Sequence, residues 1–139
     1  MNTQRVYSPL QAAIGSLLGA PLSSIVFIRH NFKVLGNANA EKKTTIYGAI
    51  IYLLLLGASP FFPDDIPWGA IVLASVFIPP LIVIKLQFTY RAIAASPHLD
   101  FQSGWRVFGV SLACFFLTLG ASMALWRILE YFGVVRSLN

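Results

Sequence analysis

Residues 10–28 read LQAAIGSLLGAPLSSIVFI, 19 residues without a charge. As one helix this stretch would rise about 28 Å, close to the ~30 Å hydrocarbon layer of a bilayer. How it is read decides how often the chain crosses. Gly15, Ser16, Gly19 and Pro21 interrupt the apolar run and no A-x-A cleavage site follows, so a retained helix is expected and not a signal peptide. The same residues lower its insertion energy, and a re-entrant or interfacial course is the alternative. Gly15 and Gly19 have G-x-x-x-G spacing, with Ser16, Ala20 and Ser24 on the adjoining ridge. Small residues at that period let a second helix approach closely, so this face is expected to pack against another transmembrane helix.

Three more stretches, residues 44–62, 67–88 and 105–126, have 19 to 22 residues each and no Asp or Glu. Isolated backbone can cross lipid only as helix, so the composition predicts an all-α polytopic membrane protein. In a chain of 139 residues these spans leave only tails and turns, so a single membrane domain over 1–139 is expected, a four-helix bundle of two hairpins. Pro79-Pro80 lies within the third span, where the missing amide protons predict a kink facing the bundle.

A net charge of +5 would suggest nucleic acid for a soluble chain, but here the basic residues flank the spans. Arg29, Lys33, Lys42, Lys43, Lys85, Arg91 and Arg106 are seven of the ten Lys and Arg, and they fall in two connections. Excess Lys and Arg mark cytoplasmic loops, which predicts the segments around Lys33 and Arg91 inside and the Asp64-Asp65 turn outside. Pro63 and Pro67 bracket that acidic turn, and aromatics such as Tyr7, Trp68, Trp105 and Trp126 lie near the span ends as interfacial anchors.

No catalytic triad, metal-ligand spacing or phosphate loop is present, so no cofactor or metal is expected. His30 and His98, the latter close to Asp100, lack a partner set for metal binding or acid–base work. Cys114, the single cysteine, cannot form an intramolecular disulfide. Gln87, Thr89, Ser111 and Thr118 are the candidates for a polar lining. Pro21-Leu22 with Asn31-Phe32 matches Pro79-Pro80 with Thr89-Tyr90 at an offset of 58, and Leu56 to Ser59 matches Leu119 to Ser122 at 63, which suggests two repeated hairpins. These readings favour a non-enzymatic protein acting by interaction with a membrane-protein partner or a second copy, with the bilayer as its solvent. An oligomeric small-solute channel or carrier is the alternative.

The motifs Tyr7-Ser8-Pro9 with Gln11, Gly19 with Pro21-Leu22, Asn31-Phe32 with Leu35-Gly36, and then Gln87, His98, Ser103 and Trp105 run through most of the chain. In this the sequence resembles a group of uncharacterised small bacterial inner-membrane proteins that open with a Tyr-Ser/Thr-Pro-x-Gln segment. The resemblance implies a bacterial inner-membrane setting and transfers no activity. The fourth span of such proteins is plain and Leu-rich, whereas Cys114, Thr118, Ser122 and Met123 interrupt it here.

Overall fold

The computed structural model describes residues 3–61, 77–79, 81–87 and 89–134. Their order is β1 (Gln4–Val6), α1 (Pro9–Val34), α2 (Ala38–Ala58), a 3-10 turn (Ser59–Phe61), α3 (Phe77–Leu86, less residue 80), α4 (Tyr90–Ala95), β2 (Leu99–Phe101) and α5 (Gly104–Tyr131).

The helical backbone of α1 does not run as one rod. From Tyr7 to Asn31 a straight helix would rise about 36 Å. Yet the Tyr7 amide donates to Asn31 Oδ1 at 2.8 Å, and the Tyr7 and Phe27 rings lie 4.3 Å apart. Ser16 and Ser24 share a hydroxyl–hydroxyl bond of 2.6 Å, and the Ser23 hydroxyl donates to the Gly15 carbonyl at 2.7 Å. The midpoints of these last two pairs, and of Tyr7–Asn31, fall at residues 19–20, so α1 doubles back there into two antiparallel arms. The local chemistry explains the site of reversal. Pro21 has no amide proton for the Leu17 carbonyl, so the first arm cannot propagate through it, and proline is well suited to begin a new helix. Gly19 leaves room for the return, since a Cβ there would lie 2.8 Å from Ser23 Cβ.

This corrects the expectation of a single crossing by residues 10–28. The first arm has 11 residues and rises about 16 Å, enough for roughly half the hydrocarbon layer. Both ends of α1 therefore lie at one end of the molecule. Ser8 caps the first arm there: its hydroxyl accepts from the Gln11 amide at 3.2 Å, while Gln11 Oε1 accepts from the Ser8 amide at 3.0 Å. Gly36, at φ +69°, closes the second arm, and Asn37 then caps α2 through the Ala40 amide.

The hairpin is the centre of the packing. It touches α2 on one side and α5 on the other, while α2 and α5 meet only sparsely. Two glycines set the approach. A Cβ on Gly19 would lie 2.6 Å from the Ser111 carbonyl oxygen of α5, and one on Gly48 would lie 2.8 Å from Ile25 of the second arm. At the end bearing the termini of α1, β1 and β2 pair in parallel with Gln4 opposite Leu99 and Val6 opposite Phe101. Both strands and the short α4 fall in segments where the sequence predicts only tails and turns.

Among the described residues two helices are long and apolar enough to cross a membrane, Ala38–Phe61 and Gly104–Tyr131. They begin six residues and one residue before the expected spans, because the capping residues Asn37 and Ser103 stand upstream of the apolar runs. The described residues therefore do not support a four-span bundle. Nor do they support the expected kink at Pro79-Pro80, since Pro80, like residues 67–76 and 88 of the third span, lies outside the described residues, as do Pro63, Asp64, Asp65, Pro67 and Trp68 of the acidic turn.

Candidate functional site

Asn31 organises the strand-bearing end. Fully buried in the second arm, it also donates from Nδ2 to the Tyr7 carbonyl at 2.8 Å and to Gln87 Oε1 at 3.0 Å. Gln87 Nε2 in turn donates to the Ile28 carbonyl at 2.8 Å. Helical termini leave backbone groups unpaired, and in an apolar setting each must find a partner. One carboxamide thus mimics a strand partner for Tyr7, and a second ties α3 to the hairpin. Gln11 Nε2 donates to the Gln102 carbonyl at 2.5 Å, joining the hairpin to the chain entering α5.

Beside this clasp lies a cleft of about 500 Å³ whose lining, among the described residues, includes Arg5, His30, Lys33 and Arg106 and no acid. His30 Nε2 is 3.0 Å from the Arg5 carbonyl; because a carbonyl only accepts, that nitrogen carries the proton. Tyr7 is buried at this end of the hairpin, with its ring against His30. Burial raises the pKa of its phenol, and the nearby Arg106 guanidinium offsets part of that rise. Ion pairs among the described residues are Arg29–Glu41 at 3.1 Å and Arg127–Glu130 at 3.4 Å, and neither reaches the cleft.

On the other side of the hairpin, a groove of about 710 Å³ runs between the second arm, α2 and α3. Its walls are almost wholly apolar, with Ile25, Ile28, Ile51 and Ile82 among them and Lys43 at its edge.

The four candidate lining residues are spread over four places. Gln87 belongs to the Asn31 clasp, and Thr89 caps α4 by accepting from the Ala92 amide at 3.2 Å. Ser111 is fully buried against Gly19, and its hydroxyl has no hydrogen-bond partner among the described residues. Thr118 accepts from the Tyr52 hydroxyl at 3.3 Å, a polar link between α2 and α5. Gly15 lies under the Phe27 ring and Gly19 under the α5 backbone, whereas Pro79 is buried beside α2. His98 and Asp100 are exposed, and the Asp100 carboxylate accepts from the next amide, Phe101, at 2.8 Å. No group of three His, Cys, Asp or Glu side chains suited to a metal occurs among the described residues.

Sequence reasoning passed over Asn31, Ser23 and the basic cleft. Spacing carried a partial signal for the fold-back alone: Ser16 and Ser24 stand at equal distances on either side of Ala20, whereas Asn31 and Ser23 bond backbone groups of Tyr7 and Gly15, which no side-chain pattern marks. The cleft had no such signal, because Arg5, Lys33 and Arg106 are far apart in the chain.

Apolar helices of crossing length and a folded-back helix with internally paired hydroxyls define a helical membrane protein. No family model matches the chain, and no solved structure matches it. It is similar to the putative chloride channel protein ClcB-like of Ralstonia nicotianae (strain ATCC BAA-1114 / GMI1000), at 34% identity over 125 residues that cover 83% of this chain and 26% of that protein. The chain thus spans about a quarter of the length of that relative.

Proposed function

We propose that this is a non-enzymatic bacterial inner-membrane protein that acts by interaction, as an accessory subunit, scaffold or immunity-type partner. The observation that carries this reading is the outer face of α5. Among the described residues Gly109 and Ala113 are exposed there at small-x-x-x-small spacing, and a Cβ added to Gly109 would meet nothing within 4 Å. Gly15 and Gly19, at the same spacing, are both covered, one by Phe27 and the other by α5. Small residues cost nothing when they face lipid, but at this period they also let a further helix approach to backbone contact. The test is affinity purification in mild detergent of the parent and of Gly109→Leu. A stoichiometric partner or second copy should accompany the parent and be lost from the variant. Monomeric, partner-free protein from both would sink the proposal.

An oligomeric channel or carrier is the second reading, favoured by the likeness to a chloride channel-like protein. Its test is chloride flux from liposomes, and flux no greater than from empty liposomes would remove it. For either reading the strand-bearing end is placed in the cytoplasm, on the strength of its Lys and Arg content. In a Cys114→Ser background, Asn37→Cys should label from inside and Asp64→Cys from outside.

A further inference from the structure

We propose that the cleft lined by Arg5, His30, Lys33 and Arg106 is a binding site for a phosphate-class oxyanion. The residues come from three parts of the fold: Arg5 from β1, His30 and Lys33 from the end of the second arm, and Arg106 from the first turn of α5. The parallel pairing of β1 with β2 and the fold-back of α1 bring them together, so the cluster is a product of the tertiary structure. Three permanent cations share one concavity with no lining acid. Asp100 is the register partner of Arg5 but makes no ion pair with it. Such a cleft repels its own charges, and an anion bound within it relieves that repulsion.

The shape of the donors selects the kind of anion. Two guanidinium groups offer planar pairs of N–H donors, which match the paired oxygens of phosphate better than a spherical halide. One of the four groups is held in place from behind: His30 is hydrogen-bonded to the Arg5 backbone at 3.0 Å and lies edge-on to Tyr7 at 5.2 Å. Arg5, Lys33 and Arg106 are themselves exposed, so a ligand can reach them. A volume of about 500 Å³ admits a phosphate with its substituent. The phosphate can belong to a lipid headgroup or to a free phosphate compound, and this inference is independent of the interaction reading above.

The experiment uses the full chain in phosphatidylcholine nanodiscs, with Tm as the readout. In one arm inorganic pyrophosphate is titrated at ionic strength held constant with sodium chloride; in the other, part of the phosphatidylcholine is replaced by phosphatidylglycerol. A rise of Tm in either arm supports the site and identifies the source, and Lys33→Gln and Arg5→Gln should each weaken the effect roughly tenfold. Arg106→Gln should do the same, and if loss of its contact with Tyr7 unfolds that variant, the two exposed substitutions decide alone. No rise in either arm, or an equal rise in parent and variants, overturns the proposal.

Discussion

The first arm-and-return of α1 and the long helix α5 are built from similar material and end up differently. Residues 10–28 and 105–126 are both mostly apolar and both of crossing length, yet one doubles back on itself and the other runs as a single helix of 28 residues. The difference lies in where the small and polar residues stand. In α1 they sit symmetrically about Gly19-Ala20-Pro21, so that folding back pairs Ser16 with Ser24 and Ser23 with the Gly15 carbonyl. In α5 the corresponding residues bond along the helix or across to α2: the Ser122 hydroxyl donates to the Thr118 carbonyl at 2.9 Å, and Thr118 accepts from Tyr52. Helices in lipid gain nothing from the hydrophobic effect by associating, so close packing and satisfied polar groups decide which shape is stable. Average hydropathy does not carry that information.

The strongest way to break the comparison is to fill the glycines of the hairpin. In Gly15→Leu, Gly19→Leu the first side chain collides with Phe27 and the second with the Ser111 backbone, which cannot give way as a side-chain tip can. Overpacking costs about 1–3 kcal/mol per site, so the pair should lose roughly 3 kcal/mol or more in reversible unfolding in detergent. Leu10→Ala, at an exposed position of the same arm, is the control and should be close to silent. Parent-like stability for the double variant would mean that the two arms do not pack as described.

Asn31→Leu tests the clasp at the open end of the hairpin. It keeps the branched shape, with somewhat larger volume, but strands the Tyr7 amide and carbonyl and removes the donor to Gln87 Oε1. Each buried unpaired group costs about 1–3 kcal/mol; because water reaches this end more easily than the hairpin tip, a loss of about 2–3 kcal/mol is expected. Hydrogen exchange should accelerate at Tyr7 and in β1 while α2 stays protected. Uniform exchange across the chain would instead make Asn31 part of a single cooperative unit.

These two tests also separate what was legible in the sequence from what was not. The membrane setting and the two long helices follow from runs of apolar residues, which are local. The close-packing spacing of Gly15 and Gly19 is also local, and the structure adds what each of them meets. The reversal at Pro21 was only half legible: the interruption is visible in the chain, but that it turns the helix back depends on which residues meet afterwards. The strands β1 and β2 are three residues each and pair across about 90 residues of sequence, too short to leave a periodic signal. The basic cleft is harder still, since its charges carry a topological reading wherever they stand, and only the fold makes them neighbours.

A smaller effect is expected from the hydroxyls at the middle of the hairpin. Ser16→Ala and Ser24→Ala each remove one side of the 2.6 Å bond, but Ser16 also donates to the Ala12 carbonyl at 2.5 Å. Interhelical hydrogen bonds in membranes average about 0.6 kcal/mol in double-mutant cycles. A coupling energy of that order between the two positions is expected, and zero coupling would show that the bond adds nothing beyond the packing that surrounds it.

The smallest effect on stability should come from Gly109→Leu, and it sharpens the comparison most. Gly109 and Gly19 are the same residue type in helices of similar composition, but one faces open space and the other faces backbone. The Cβ of a leucine at 109 meets no atom of the described residues, and leucine replaces a poor helix former with a good one, which favours the helix by up to about 1 kcal/mol. Unfolding in detergent should therefore leave the variant at least as stable as the parent, while Gly19→Leu alone falls well below both. If Gly109→Leu proves destabilising, this face of α5 is covered within the molecule by residues outside those described. If it is neutral in isolation yet abolishes co-purification, the bare glycine is a docking position, and the two glycines divide the work of holding the fold together from that of joining it to something else.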